Sequence, residues 1–387
     1  DAAAERLGPA MTRKRVLIVY RSYFPSQSHL GPATAIRNLV TGMAADYDFH
    51  ILTLNHEFAD GTPLFPVALH REMQGAVVVE YIPRGWSGLR ILAQRLRDGF
   101  DVVDIQCAFD PLLSIPALIL CKLGYAGRSR VCHTPHGIFM DVIMSAGTAK
   151  KTMFCRLTDL FGLYRDVTHL AGSPGEETDI RRRHRRAQNV RMVSQFVEAS
   201  ANRPVPRDKP AGRLDIAFVG RVTEQKNLIF ALDTLRQLPF PTRLHIFGDV
   251  GDSAYARQCI AMSKASESQC RVTFCGTLAK DALFARLPHY DLLLHPTLGE
   301  NFGHSIVEAL AMGVPVLISD RSPWTDVADS HAGWALPLSQ QAGFIDRLRD
   351  VYEMGEAWSA MSKGALRYYR TTFDPNRTAA RYREAYG

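Results

Sequence analysis

Short apolar runs rich in β-branched residues recur along the chain, and each is bounded by charged or turn-forming residues. Runs of this length and composition predict buried strands of a parallel sheet. In the first half of the sequence they occupy residues 15–20, 49–54, 76–80, 102–106 and 130–134. Between them apolar positions recur with helical spacing, as in residues 33–44 and 89–97. This alternation predicts an α/β domain with a parallel sheet.

The same pattern starts again after residues 202–210, which contain three prolines and several charges and are typical of a linker. Further strands are predicted at residues 214–219, 243–247, 271–274, 292–295 and 314–318, with a helix at 228–238. We therefore predict two α/β domains, residues 11–205 and 206–372, followed by a helical segment at 373–387. Ligands of open parallel sheets bind beyond the carboxyl ends of the strands, so the domains would face each other across a ligand-binding cleft.

The composition agrees with two globular domains. Of the 387 residues, 46% are hydrophobic and 22% are charged, which excludes a disordered chain. The net charge of +7 favours an anionic partner such as a nucleotide, a nucleic acid or a membrane surface. No G-x-G-x-x-G follows the first strand of either domain and no P-loop is present, which disfavours dinucleotide cofactors and P-loop nucleotide hydrolysis.

The cysteines indicate a reducing compartment. The sequence has seven of them without a C-x-x-C pair or a zinc-ligand spacing, so we interpret them as free thiols of a cytoplasmic protein. His133 and His136 are three residues apart, but Pro135 and Gly137 predict a loop at this point, which disfavours a metal site. We interpret residues 1–10 as a tag remnant before a native start at Met11. No uncharged apolar run reaches the ~20 residues of a membrane-spanning helix.

A glycine-rich loop and a helix follow the strand predicted at residues 292–295. The segment reads TLGENFGHSIVEALAMGVPV over residues 297–316, with Glu300 in the loop and Glu308 about two turns along the helix. The helix N-terminus would direct free N–H groups at a ligand. The two carboxylates would accept hydrogen bonds from sugar hydroxyls. A capping glutamate and a solvated helix glutamate are the alternative interpretation.

A second loop of interest follows the strand predicted at residues 214–219. Gly220 permits a tight turn there, and Arg221 and Lys226 flank the loop. The planar guanidinium and the mobile ammonium group are suited to binding a departing diphosphate. Two solvated loop cations are the alternative interpretation.

Together these segments resemble the GT-B glycosyltransferases, in particular the retaining family 4, also called glycosyl transferases group 1. The similar motifs are G-R-x-x-x-x-K at Gly220, Arg221 and Lys226, and E-x7-E at Glu300 and Glu308. T-P-H-G at residues 134–137 is similar to the family's His-Gly loop, and S-P-G-E at 173–176 to its S-x-x-E segment. The resemblance covers most of the chain and implies an α/β fold of two Rossmann-like domains.

The resemblance also implies a role for each matching residue. Arg221 and Lys226 would bind the donor diphosphate beside Gly220 and stabilise it as it leaves. Glu300 would contact hydroxyls of the donor sugar, and Glu308 would hold the ribose hydroxyls. Further donor contacts would come from Asn301, Phe302, Gly303, His304, His136 and Gly31. Residues 376–386 would form a helix that crosses back onto the first domain.

The implied reaction is retaining transfer of a sugar from a UDP- or GDP-sugar to a hydroxyl of a glycan, lipid-linked or natural-product acceptor. No metal and no further cofactor would be required, because fixed cations and a helix N-terminus would stabilise the leaving diphosphate. The single glycine at Gly31 and the segment 193–197 depart from the family pattern. A sugar-nucleotide epimerase, a phosphorylase and an inactive nucleotide-sugar-binding subunit remain alternatives.

Two basic features leave further partners open. Residues 181–186 read RRRHRR, which we interpret as a solvated helix end, with an anionic lipid surface or a nucleic acid as alternatives. No nucleic-acid-binding motif accompanies the run, so no nucleic acid is expected. Residues 89–97, which follow Trp86, form either a core-facing helix or a peripheral contact with the inner membrane face.

Overall fold

A computed structural model of the protein divides the chain into two units. The structure describes residues 13–26, 30–58, 60–145, 148–197, 209, 212–265 and 270–387. The first unit comprises the described residues up to Phe196 together with Pro375–Gly387, and the second those within Val197–Asp374. Residues 1–10 lie outside the described residues, and so does the proline-rich segment 202–210 apart from Lys209. The boundary predicted at residue 205 falls in that segment, whereas contacts divide the chain after Phe196.

An eight-stranded sheet runs through the described residues of the first unit. Its strands are β1 Lys14–Val19, β2 Tyr47–Leu54, β3 His70–Gln74, β4 Val77–Ile82, β5 Val102–Gln106, β6 Arg130–Thr134, β7 Thr168–Ala171 and β8 Asn189–Met192. In the order β3-β4-β2-β1-β5-β6-β7-β8 every pairing is parallel except that of β3 with β4. The five strands predicted in this half are confirmed to within two residues at each end. Sequence reasoning missed β3, β7 and β8, which are short and rich in polar residues.

Helices cover both faces of this sheet. They are α1 Leu30–Gly42, α2 Trp86–Leu96, α3 Ser114–Lys122, α4 Asp141–Ser145, α5 Thr148–Leu160 and α6 Pro174–Arg183. α1 packs Ile36 and Leu39 into one apolar cluster with β1, and α2 packs Leu92 and Leu96 into the cluster on the opposite face. The core-facing interpretation of residues 89–97 is therefore confirmed.

The second unit repeats this architecture around a six-stranded parallel sheet. Its strands are β9 Leu214–Val219, β10 Thr242–Phe247, β11 Cys270–Gly276, β12 Leu292–His295, β13 Val316–Ser319 and β14 Gly333–Leu336, in the order β11-β10-β9-β12-β13-β14. Its helices are α7 Leu228–Leu235, α8 Ala254–Ala265, α9 Lys280–Arg286, α10 His304–Ala311, α11 Gln341–Glu353 and α12 Ala357–Thr372. The central strands β9 and β12 are buried along their whole length and pair directly. Their pairing places the loops that follow them side by side.

The last helix, α13 Pro375–Tyr386, belongs to the first unit. The ring of Tyr386 packs edge-on against that of Tyr47, with centroids 5.5 Å apart. Its hydroxyl donates a hydrogen bond to Asp104 Oδ2 over 2.7 Å. Burial raises the pKa of Asp104 to about 6, although Tyr386 and Thr134 both donate to its carboxyl group. The helix thus completes the core and supplies a polar partner for a carboxyl group at the centre of the sheet.

Within the described residues, none of the helices combines the length and the apolar character that crossing a bilayer demands.

Candidate functional site

Two glycines shape the carboxyl end of the second unit's sheet. Gly220 follows β9 with φ at +147°, and Gly248 follows the neighbouring β10 with the same value. A Cβ atom on Gly248 would lie 2.2 Å from the carbonyl oxygen of Gly220, so no side chain fits there. The two turns can pack this closely only because Gly248 has no side chain. Sequence reasoning identified Gly220 and missed Gly248, whose only signal was its matching place after the next strand.

Hydrogen bonds join the loops that follow β9 and β12. The carbonyl of Gln225 accepts from the backbone N–H of Leu298 over 2.8 Å and from the hydroxyl of Thr297 over 3.0 Å. The side-chain amide of Gln225 donates in return to the carbonyl of Gly299 over 2.7 Å. These bonds fix the first loop, which carries Arg221 and Lys226, against the second, which carries Glu300.

Lys226 and Glu300, one from each loop, form an ion pair. The Glu300 side chain is only 9% exposed, and it also accepts a hydrogen bond from His295 Nε2 over 3.1 Å. Burial alone would raise the pKa of Glu300, but the Lys226 charge and the His295 hydrogen bond outweigh it and lower the pKa to about 2. Glu300 is therefore an ionised hydrogen-bond acceptor at neutral pH. His295 stays neutral, because burial lowers its pKa.

Arg221 has a different environment from Lys226. Its side chain is exposed, and the described residues offer it neither a hydrogen bond nor an ion pair. The loop after β9 therefore carries two different cations. Lys226 is held by a buried carboxylate, and Arg221 is open to an anionic ligand. The alternative of two solvated loop cations does not hold for Lys226, which is fixed on Glu300.

Helix α10 begins at the same loop. Gly303 precedes it with φ at +74°, and a Cβ there would contact Ile306 at 3.0 Å. The buried ring of Phe302 packs edge-on against Trp324, whose indole N–H donates to the Phe302 carbonyl over 2.6 Å. This packing holds the segment from Asn301 to His304 so that the first free N–H groups of the helix lie beside Glu300. Burial and, to a lesser extent, the positive charge of Lys280 lower the pKa of His304 to about 4.

Glu308 lies one turn along α10 from His304 and contacts a lysine that sequence reasoning missed. The distance from Lys280 Nζ to Glu308 Oε1 is 3.6 Å, and the two side chains are 20% and 12% exposed. Glu308 is therefore not a solvated helix residue. Lys280 begins α9, and nothing in its local sequence marks it, because its contact arises from the packing of α9 beside α10.

The remaining predicted residues lie in the first unit. His136 has φ at +57°, and its Nε2 lies 2.7 Å from Gln106 Oε1. The Glu176 carboxylate accepts hydrogen bonds from the N–H groups of Gly137 and Gly172. Ser173 caps α6 by accepting from the N–H of Glu176 over 3.2 Å. The S-x-x-E segment thus fixes the loop that carries His136.

Gly31 lies in the first turn of α1. A Cβ atom on it would have no described atom within 4 Å, and residues 27–29 just before it lie outside the described part of the chain. The structure thus brings together Gly220, Lys226, Glu300 and the start of α10 in the second unit, while the predicted donor contacts of His136 and Gly31 stay predictions.

Comparisons with known proteins find a matching family model and a similar curated protein. Residues 202–367 match the family model of the glycosyl transferases group 1. The chain is 33% identical over 101 residues to 2-deoxystreptamine glucosyltransferase of Streptomyces kanamyceticus, a match that spans 26% of each protein.

Two solved structures share the fold across almost the whole chain. Sucrose-phosphate synthase from Thermosynechococcus elongatus superposes with a TM-score of 0.75 at 17% identity, covering 97% of this chain and 98% of that one. HepE of Anabaena, solved with UDP and glucose, gives 0.71 at 16% identity, covering 96% and 99%. This chain therefore has the GT-B fold, and its residues 202–367 are similar to the glycosyl transferases group 1.

Proposed function

We propose that the protein transfers a hexose from a UDP- or GDP-sugar to an acceptor hydroxyl, with retention of anomeric configuration and without a metal. The observation that carries the proposal is the Lys226–Glu300 ion pair beside the exposed Arg221 and the start of α10. The UDP and glucose bound to HepE and the glucosyltransferase activity named for the Streptomyces relative support a nucleotide-sugar donor.

Each residue has a chemical task in this proposal. Arg221 and Lys226 neutralise charge that develops on the diphosphate as its bond to the anomeric carbon breaks. The N-terminal amides of α10 add fixed donors for the same oxygens. Glu300, held ionised by Lys226, accepts hydrogen bonds from sugar hydroxyls. Together these positive groups do the work that a divalent cation does in other transferases.

Retention is proposed to proceed by attack from the face that the diphosphate leaves. The acceptor oxygen bonds to the anomeric carbon, the bond from that carbon to the phosphate oxygen breaks, and the phosphate oxygen takes the acceptor proton. Glu308 holds the ribose hydroxyls in this scheme, and the family resemblance assigns His136 to the donor sugar. Trapping a covalent glycosyl-enzyme on a side chain would contradict it.

The acceptor is proposed to be a glycan, a glycolipid or a natural product, and the compartment the cytoplasm. All seven cysteines of the chain are unpaired, which supports a reducing compartment. Burial also raises the pKa of Cys132 and Cys155, so these thiols stay protonated at neutral pH.

The first experiment is a thermal-shift screen of the purified chain against UDP-, GDP- and ADP-sugars, because a donor that binds the folded state raises its melting temperature. Donor turnover is then measured for Arg221→Ala. Arg236→Ala is the matched control, since Arg236 is a half-exposed arginine of the same unit, paired with Asp233. We expect Arg221→Ala to lose turnover by a factor of at least about 100 while the control is unchanged.

Product analysis separates the alternatives. Transfer that needs an acceptor, gives a product with the donor's anomeric configuration and persists in EDTA supports the proposal. A changed sugar nucleotide without acceptor indicates an epimerase, and a sugar phosphate formed with inorganic phosphate indicates a phosphorylase. Donor binding without turnover under all these conditions indicates an inactive binding subunit.

A further inference from the structure

The outward face of α5 is apolar, whereas a helix on a sheet normally turns its apolar side inward. Its inner side chains Cys155 and Thr158 are buried, whereas Met153, Leu157 and Leu160 lie on the opposite side and are 55%, 43% and 62% exposed. Phe161, directly after the helix, is 67% exposed. These four side chains form one continuous stripe that no described residue covers.

The neighbouring end of α3 extends the stripe. Ile119 and Leu123 are 44% and 68% exposed, and the ion pair between Lys122 and Asp166 holds this end beside the loop that follows α5. We call the surface formed by Ile119, Leu123, Met153, Leu157, Leu160 and Phe161 the α3–α5 face. It holds six of the twelve large apolar side chains that are exposed among the described residues. Their concentration on two adjacent helices separates them from the scattered apolar residues of an ordinary surface.

Cations surround the α3–α5 face. Lys150 and Arg156 are exposed on α5 on either side of the stripe, and neither forms an ion pair with a described carboxylate. The exposed side chains of α5 include no acidic residue, because its one aspartate, Asp159, is half-buried and accepts a hydrogen bond from the N–H of Arg186. The surface is therefore apolar at its centre and positive at its rim.

The arginine-rich run at residues 181–186 belongs to the same surface. Arg186 donates to the carbonyl of Leu160 over 2.9 Å, which fixes the end of the run at the end of α5. Arg181, Arg182 and Arg183 are paired with Glu177, Asp179 and Asp141. Arg185 is exposed and has no such pair among the described residues. The part of the run that is not neutralised thus lies next to the apolar stripe.

We propose that the α3–α5 face docks the protein on an anionic lipid surface. An apolar stripe with a positive rim is the pattern of elements that lie in the interface of a bilayer, where apolar side chains enter below the headgroups and cations meet lipid phosphates. A second copy of this chain fits less well, because two such faces would bring Lys150, Arg156 and Arg185 of each copy together. The proposal does not depend on the transfer activity and moves the membrane contact from α2, which exposes Trp86 but buries Leu92 and Leu96, to α5.

The test is flotation of the full chain with vesicles of phosphatidylcholine, with and without phosphatidylglycerol. We expect binding to the anionic vesicles that weakens as salt is raised. Leu157→Ser combined with Phe161→Ser should weaken it by at least about tenfold, because two apolar anchors are lost. Arg156→Gln and Arg185→Gln should each weaken it by about fivefold on anionic vesicles and leave neutral vesicles unaffected.

Matched controls use residues of similar exposure elsewhere. Met73→Ser, at a side chain that is 61% exposed on β3, and Arg257→Gln, at one that is 63% exposed on α8, should not change binding. Equal binding to neutral and anionic vesicles would overturn the proposal. So would a loss of vesicle binding in the control variants as large as that in the variants of the α3–α5 face. So would sedimentation showing that the Leu157/Phe161 variant breaks a dimer while its vesicle binding stays intact. Melting temperatures within about 2 °C of wild type establish that each variant is folded.

Discussion

Replacing Lys226 with methionine tests whether the ion pair with Glu300 stabilises the second unit. The pKa of Glu300 falls from 4.5 to about 2 in the folded protein, with Lys226 as its principal lowering cause. A difference of about 2.5 pH units corresponds to about 3 kcal/mol between the charged and neutral forms of the carboxyl group. Since the variant keeps a buried carboxylate without its cation, we expect Lys226→Met to lose about 3 kcal/mol of stability at pH 7.

The stability lost in Lys226→Met should become smaller as the pH is lowered. The pKa of Glu300 is lower in the folded protein than in the unfolded chain, so the ion pair contributes fully above pH 4.5 and its contribution disappears as pH falls toward 2. The stability gap between wild type and Lys226→Met should therefore narrow below a pH of about 5. Urea denaturation followed by tryptophan fluorescence reports on the second unit, which contains Trp324, Trp334 and Trp358.

Two further variants make the measurement decisive. Lys264→Met, at an exposed lysine of the same unit, controls for the loss of a lysine and should change stability by less than about 0.5 kcal/mol. Lys226→Met combined with Glu300→Gln should be more stable than Lys226→Met alone, because no buried charge is left unpaired. A loss below about 1 kcal/mol for Lys226→Met, or a double variant as unstable as the sum of its parts, would refute the reasoning.

Two other predictions concern backbone packing and acid stability. Gly248→Ala should lower the stability of the second unit by more than about 3 kcal/mol, because its Cβ would lie 2.2 Å from the Gly220 carbonyl. Gly251→Ala, with positive φ but no atom within 4 Å, should lose only about 1 kcal/mol in the same denaturation assay. In the first unit, burial lowers the pKa of His133 to about 3 and that of His184 to about 4, so stability should fall as pH drops below 6.5. Each buried imidazole should contribute about 2 kcal/mol of that loss at pH 5, and His184→Phe should move the midpoint of acid unfolding to lower pH. An unchanged midpoint would contradict the assignment of the acid response to His184.

The sequence predicted the features that short-range pattern determines. The runs at β5, β6, β9 and β12 match the observed strands to the residue. Side chains of β5, β9 and β12 are buried along the whole strand, and buried strands of a parallel sheet are rich in apolar residues. The polar edge strand β3 was missed, since its side chains alternate between half-buried and exposed positions. The segment that carries Glu300 and Glu308 was found because several of its residues form one contiguous motif.

Partners that come from distant segments could not be predicted in this way. Lys280 reaches Glu308 through the packing of α9 beside α10, and Gly248 meets Gly220 because β10 pairs with β9. Neither residue belongs to a local motif. The apolar stripe of α5 was missed for a related reason, because only the position of the sheet shows which side of the helix faces outward.

The return of α13 to the first unit has a consequence for the order in which a ribosome-bound chain can fold. Every residue of the second unit is synthesised before Tyr382 and Tyr386, which fill the first unit's core beside Tyr47 and Phe196. The first unit therefore stays incomplete while nearly half of the polypeptide is synthesised. During that time Asp104 lacks the hydrogen bond from the Tyr386 hydroxyl. The second unit, by contrast, is contiguous in sequence and has all its residues before α13 appears. This topology therefore favours folding of the inserted second unit before the first unit, which surrounds it in sequence.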